Sequence, residues 1–414
     1  MENNQTEEQK RLEEGSSPRR PWRKWGPYLS ERQWGTVRED YSESGDAWSY
    51  LSHDQARSRA YQWGEDGIAG ISDDKQRLCF ALALWNGRDA ILKERLFGLT
   101  NAEGNHGEDV KEYYFYLDNM PTHSYMKYLY KYPQAPFPYT DLVYTNRGRN
   151  RGDFEYELLD TGIFKEDRYF DIFVEYAKAS PEEILIKITA HNRGPEPASL
   201  HLLPTLWYRN TWSWGDVVLK PQLQRIDPGE GWGASVIEAF HPDLGIRYLY
   251  CAGSPPLLFT ENETNNQRLF GGRNASPYVK DGINDSVVNG RGDTVNPEKK
   301  GTKASAHYQM KIGPGQEAAV QLRLMEAAPA DVRHPLFGIP FEEIVETRRR
   351  EADEFYRAIT PPSVGEEEAR VMRQALAGML WSKQYYRYDL SQWLDQHDAG
   401  PRHGMRGPIR NQDW

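Results

Sequence analysis

The stretch Ala306-His-Tyr-Gln-Met-Lys-Ile312, then Gly313-Pro-Gly-Gln-Glu317, then Ala318 to Leu324, decides the fold class. Successive side chains of a strand point to opposite faces, so Tyr308, Met310 and Ile312 share one face. Val320, Leu322 and Leu324 do the same. The intervening Gly and Pro supply turn geometry, and the pattern predicts a β-hairpin. Working outward, Ile184, Ile186 and Ile188 alternate with Leu185, Lys187 and Thr189, which predicts another strand. Leu200 to Trp207 and Ile246 to Cys251 read as two more. Over residues 25–330, Gly, Pro, Asn and Asp punctuate short apolar runs, the rhythm of an all-β region. The polar run from Glu261 to Lys303 reads as one long loop, and ordered loops of that length are usually functional or flexible.

The pattern changes at residue 331. Phe341, Ile344, Val345, Ala352, Phe355 and Ile359 recur at helical spacing, and Pro361-Pro362 stops that helix. Glu366 to Tyr388 predicts a second helix, with Val371, Met372, Ala375, Leu376, Met379 and Leu380 on its apolar side. Ser363 stands where it could cap this helix. Past Leu394 the periodicity is lost, and two helices with apolar faces lack partners to bury them. The expected organisation is therefore a disordered tail over 1–24, a β domain over 25–330, and over 331–414 a linker helix and the start of a helical domain that is cut off.

A net charge of −10 without a basic stripe argues against a nucleic-acid partner, since phosphate binding needs clustered Lys and Arg. No apolar run reaches membrane-spanning length, and the first twenty residues lack the apolar centre of a secretory signal. Cys79 and Cys251 stand far apart in apolar contexts, as buried thiols of a reducing compartment do. The expectation is a cytoplasmic protein with no membrane partner. Sequons at Asn262, Asn274 and Asn284, and Arg-Gly-Asp triplets starting at Arg151 and Arg291, read as chance in turn-rich loops. Gly-x-Ser-x-Gly, phosphate-loop, dinucleotide and zinc motifs are absent, so no cofactor and no metal are expected.

Residues 22–144 carry the functional signal: six tryptophans, many tyrosines, and acidic residues among glycines. Aromatic faces stack on sugar rings and carboxylates hold sugar hydroxyls, but the same aromatics also fill β cores. Glu39-Asp40, Glu65-Asp66 and Glu108-Asp109 are the paired acids. Glycoside cleavage needs two carboxyl groups on opposite sides of a bond, whereas strand neighbours face opposite ways, so turn formation and salt bridges compete as explanations. His106, flanked by Asn105 and Gly107, could present polar groups at a cleft or merely turn the chain. Trp212-Ser-Trp214, if extended, puts both indoles on one side, and Trp381 and Tyr385 share a helix face. The candidate rim set is thus Trp34, Trp63, Glu65, Asp66, His106, Glu108, Asp109, Trp212, Trp214, Trp381 and Tyr385.

The runs Trp25 to Tyr41, Thr100 to Tyr114, Leu202 to Gly215 and Arg370 to Tyr386 resemble the amino-terminal part of bacterial proteins related to glycoside hydrolase family 63. That family includes processing α-glucosidases and mannosylglycerate-type hydrolases. The resemblance implies a large antiparallel β-sandwich followed by an (α/α)6 barrel, a carbohydrate substrate such as an α-glucoside, and an inverting mechanism. It further implies that both catalytic carboxyls lie on the barrel, beyond Trp414, so that no residue of this chain inherits a catalytic role and the chain is inactive alone. A carbohydrate-binding sandwich that cleaves nothing, or a truncated remnant, are the alternatives.

Overall fold

The computed structural model describes residues 5–15, 21–29, 51–62, 66–100, 103–106, 109–214, 219–229, 231–383 and 385. Two antiparallel sheets face each other. The smaller runs Trp25–Gly26, Ile68–Asp73, Leu78–Trp85, Ala198–Tyr208, Lys303–Ala306 and Leu257–Thr260, with Tyr308–Ile312 also paired to Ala198–Tyr208. The larger runs Lys300–Gly301, Gln222–Ile226, Ala234–His241, Gly245–Ala252, Glu317–Met325, Glu183–Asn192, Tyr169–Ser180, Tyr125–Pro133 and Tyr114–Asn119. Their inner faces share one core. Phe80, Leu82 and Leu84 come from the smaller sheet, and Tyr128, Val174, Ile188 and Val320 form one row across the larger. The buried Tyr176 hydroxyl donates to the Ala69 carbonyl at 2.5 Å and ties the two layers together. The β-sandwich expectation holds.

The strands predicted around Ile184, Leu200 and Ile246 are present as Glu183–Asn192, Ala198–Tyr208 and Gly245–Ala252. The hairpin is a correction. Both of its strands exist, and Val320, Leu322 and Leu324 face the core, but the strands pair with different sheets. Ile312 pairs with Ala198 in the smaller sheet, whereas Glu317 pairs with His191 in the larger. The Gly-Pro-Gly segment therefore crosses the sandwich edge instead of closing a ladder. Alternation reveals a strand but not its partner.

The predicted loop from Glu261 to Lys303 contains helices Asn266–Phe270 and Gly282–Val288 and the short strand Lys300–Gly301. Asn262 is buried, and its side-chain amide joins Tyr61 and Tyr208 through their carbonyls. Gly301 passes so close that an added Cβ would lie 2.2 Å from the Thr260 oxygen. Gly301→Ala is expected to destabilise the protein by about 1–3 kcal/mol through backbone displacement, measured as the urea midpoint.

Part of the larger sheet is also covered on its outer face. Helix Ile339–Ile359 lies on its outer side, where Phe341, Val345, Ala352, Phe355 and Tyr356 pack on Met120, Tyr125, Ala177 and Leu185. The periodicity reading of this helix holds, except that Ile344 is half-buried and Ile359 exposed. Lys187 and Gln321 both bond Glu342, Arg348 donates to the Lys178 carbonyl, and Arg349 pairs with Glu175. The expectation of a disordered tail over 1–24 needs correcting. Helix Glu7–Glu14 docks beside the long helix, with Glu8 fully buried and accepting from the Thr122 amide, the Thr122 hydroxyl and Ser124. Arg11 reaches Glu351 at 2.6 Å. Polar composition hid this helix because its anchors are charges, not apolar residues.

The second helix spans Glu366–Trp381 among the described residues. Its buried face is only partly the one predicted: Leu376 packs half-buried on the cluster under the long helix and Met372 and Leu380 are half-buried, but the fully buried residues are Ala377 and Trp381, while Val371 and Met379 are exposed. The side that packs was chosen by the sheet edge, which offers Tyr116 and Tyr128 to Trp381. Ser363 does not cap it. Gly365 stands at the N-cap, and its amide donates to the Glu368 carboxylate at 2.9 Å.

Candidate functional site

Of the rim candidates, Trp34, Trp63, Glu65 and Glu108 lie outside the described residues, as does the side chain of Trp214. The fold does not bring the remaining six to one cleft.

Asp66 is buried against the outer face of the smaller sheet. Arg95 holds one carboxylate oxygen through Nε at 2.8 Å and Nη2 at 2.6 Å, and Lys280 Nζ holds the other at 2.7 Å. Burial by itself would raise the Asp66 pKa, but Arg95, Lys280 and Lys303 overcome it and hold the carboxyl at about 2. Lys303 is in turn paired with buried Glu94 at 2.6 Å. Asp66, Glu94, Lys303 and Trp207 surround a void of only about 10 Å³, which is room for a water and not for a sugar ring. Asp66 is therefore a fixed structural anion.

Asp109 belongs to a second cluster. The Lys111 ammonium, itself buried, lies 2.8 Å from Asp109, 2.7 Å from Glu155 and 3.0 Å from Glu157. Burial would lower the Lys111 pKa, yet hydrogen bonds to the three carboxylates hold it above the ordinary range. The three acids lie close enough to chelate a cation, and the lysine already supplies the positive charge at their centre. Next to it, Asn105 donates to the carbonyls of Asn150 and Asp153, and the exposed His106 bonds the Asp153 carbonyl at 2.8 Å. The Asn-His pair therefore ties its own segment to a neighbouring loop.

Trp212 lies in a 3-10 turn, Trp212–Trp214, so the segment is not extended as expected. Its indole nitrogen donates to Glu263 at 3.2 Å, and the Lys220 ammonium sits 5.4 Å from its ring. Trp381 is buried in the sandwich core and not at a cleft. Its indole stacks on Tyr116 with centroids 5.6 Å apart and planes at 12°, and Nε1 donates to the Asp118 carbonyl at 2.9 Å. Arg373 pairs with Asp118 and, at 2.7 Å, with Asp353. Tyr385 lies apart from this stack, against the Arg209 guanidinium at 5.0 Å.

Residues that sequence reading did not single out form a further buried network. Lys93 and Glu112 are both fully buried and pair at 2.6 Å. Tyr130 and the Phe97 amide also bond Glu112, and the Lys93 ammonium sits 3.8 Å from the centre of the Phe137 ring. Burial pushes the Glu112 pKa up, and Lys93 and the two hydrogen bonds counter it. Lys93 and Glu112 are 19 positions apart and meet only through the fold, so no local signal could reveal them. An open concavity lies elsewhere, at one end of the sandwich. It holds about 520 Å³ between the loops at Asn86–Arg88, Gln134–Ala135, Gly162–Arg168 and Glu196–Ser199.

No family model matches the chain. A yeast protein, Uncharacterized protein YMR196W of Saccharomyces cerevisiae, is 41% identical over 455 aligned residues. The alignment takes in 99% of this chain and 41% of the yeast protein, so the chain spans well under half the length of that relative. Solved structures align only in part. The polysaccharide lyase BACCELL_00875 is 12% identical, with a TM-score of 0.31 over 68% of this chain and 31% of its own. A putative kojibiose phosphorylase from the human microbiome is 9% identical, with a TM-score of 0.21 over 51% and 21%. The family GH92 inverting mannosidase BT2199 of Bacteroides thetaiotaomicron is 10% identical, with a TM-score of 0.25 over 77% and 37%.

Proposed function

We propose that this chain is the sandwich portion of an inverting glycoside hydrolase acting on α-glucosides or related oligosaccharides, and that its role is to carry helices and not to break bonds. The observation that carries this reading is the commitment of the two candidate acids among the described residues. An inverting pair needs two carboxyls about 6.5–9.5 Å apart across an open cleft, with room between them for sugar and water. Asp66 is buried between Arg95 and Lys280, and Asp109 is clamped by Lys111. Both are spent on structure. The helix Glu366–Trp381, by contrast, is joined to the sheet through an aromatic stack, a hydrogen bond and the Arg373–Asp118 ion pair, and to the helix Ile339–Ile359 through Arg373 and Asp353, as a supporting layer for helices would be. The family resemblance of Trp25 to Tyr41 and Arg370 to Tyr386 supplies the substrate class, with the acid and base on a helical (α/α)6 domain.

The test is glucose release from simple α-glucosides by the purified, folded 414-residue chain. The expected rate equals the buffer blank, and Asp66→Asn and Asp109→Asn leave it there. Turnover at an enzyme-like rate, abolished by either substitution, overturns the reading.

A further inference from the structure

The concavity at the end of the sandwich is rich in cationic side chains. It forms where loops from both sheets converge: Asn86–Arg88 follows Leu78–Trp85, Gln134 follows Tyr125–Pro133, and Gly162–Arg168 precedes Tyr169–Ser180. Its floor is rigid. The Asn86 amide donates to the carbonyls of Pro133 and Ala135, and its oxygen accepts from the amides of Arg88 and Asp89. Fully buried Asn192 accepts from Gln134 at 2.6 Å and donates to the carbonyls of Glu196 and Ile312, joining the two sheets beneath the cleft. One wall is held in left-handed backbone at non-glycine positions, Glu166 at φ 59° and Asp167 at φ 55°. Such strain persists only where the surroundings enforce it.

Four cations and two carboxylates line the cleft: Arg88, Lys165, Arg168, Lys311, Glu166 and Glu196. Both carboxylates are used by one cation. Arg168 pairs with Glu166 at 3.1 Å and with Glu196 at 3.2 Å. Among the described residues no carboxylate lies within ion-pair distance of Arg88, Lys165 or Lys311. A protein of net charge −10 thus lines a concavity of about 520 Å³ with four cations against two carboxylates, an excess of two positive charges. That size falls within the range of small-molecule sites, about 300–1,000 Å³. The lining mixes charged and polar groups with Ile163, Pro197 and Ala198, and has no aromatic face to stack on.

We propose that this cleft binds a small, hydroxyl-rich molecule bearing an oxyanion, such as a uronate or a sugar phosphate. Asn86 and Gln134 hold the floor, and Arg88, Lys165 and Lys311 neutralise the anion. The site is separate from the acids discussed above and does not depend on their role.

The test is titration calorimetry of the whole chain at low salt with glucuronate, glucose 6-phosphate and glucose. It is repeated on Arg88→Gln and on Arg88→Gln/Lys165→Gln/Lys311→Gln, whose exposed positions leave the core intact. Binding of glucuronate or glucose 6-phosphate, with glucose weaker by at least about tenfold, is the expected result, and the stronger of the two anions identifies the oxyanion. The triple variant is expected to lose at least about tenfold in affinity. Raising salt to about 1 M, where the Debye length is about 3 Å, is expected to weaken binding to wild type. Absence of binding by both anions, equal binding of glucose, or anion binding undiminished in the triple variant overturns the proposal.

Discussion

Trp381→Ala is expected to lower the free energy of unfolding by about 3–5 kcal/mol, the cost of truncating a fully packed aromatic. Trp381 is 1% exposed and touches three tyrosines of the larger sheet, Tyr116, Tyr128 and Tyr176. Its removal opens a cavity at the seam between the last helix and the sheet edge, because Tyr116 and Tyr128 are held by their own strands and cannot close it. Trp381→Phe keeps much of the stack and loses the indole bond to the Asp118 carbonyl, so a smaller loss of about 1 kcal/mol is expected. Urea midpoints measure both. A loss for the alanine variant no larger than for phenylalanine would mean that the indole is not packed as described.

Asp66→Asn is the second large effect. It leaves Arg95 and Lys280 buried without their counter-charge, and breaking such a cluster costs about 3–5 kcal/mol. The pH dependence has a definite sign. The folded-state pKa of Asp66, at about 2, is depressed below the value of an unfolded aspartate. The associated stability is present above about pH 4 and is lost as pH falls toward 2. A shift of this size corresponds to about 2–3 kcal/mol between those limits. Urea melts of wild type between pH 5 and pH 2 are expected to show this loss, and Asp66→Asn to lack that component. A variant as stable as wild type at pH 7 would show that Arg95 and Lys280 find other partners.

What was legible in the sequence follows from which forces are local. Alternation at Ile184–Ile188 and Val320–Leu324 reflects the face that meets the shared core, so strands could be read directly, whereas Leu185 on the other face is buried by the long helix. Their partners depend on loops and twist, and the apparent hairpin divides between the two sheets. The long helix was readable because its stripe meets a broad apolar surface. The second helix was read partly out of phase, since Leu376 packs as expected but Val371 and Met379 face outward while Ala377 and Trp381 are the buried residues. Periodicity ranks faces by hydrophobicity, and here a single large indole outweighs several smaller side chains. Helix Glu7–Glu14 escaped because its docking uses Glu8 and Arg11. Among candidate site residues, Asp66 and Asp109 looked like chemistry because acids near aromatics suit sugar binding. Their partners Arg95, Lys280 and Lys111 became visible only in three dimensions, and they turn both acids into structural anions.

Native-state hydrogen exchange tests the central claim, that the helices are fixed to the sandwich as one supporting unit. Amides of Glu366–Trp381 are predicted to exchange with the same opening free energy as those of Tyr114–Asn119, and Trp381→Ala is predicted to release the helix while the inner strands stay protected. Fast, independent exchange of that helix in the wild-type chain, beside a protected sheet, would contradict it.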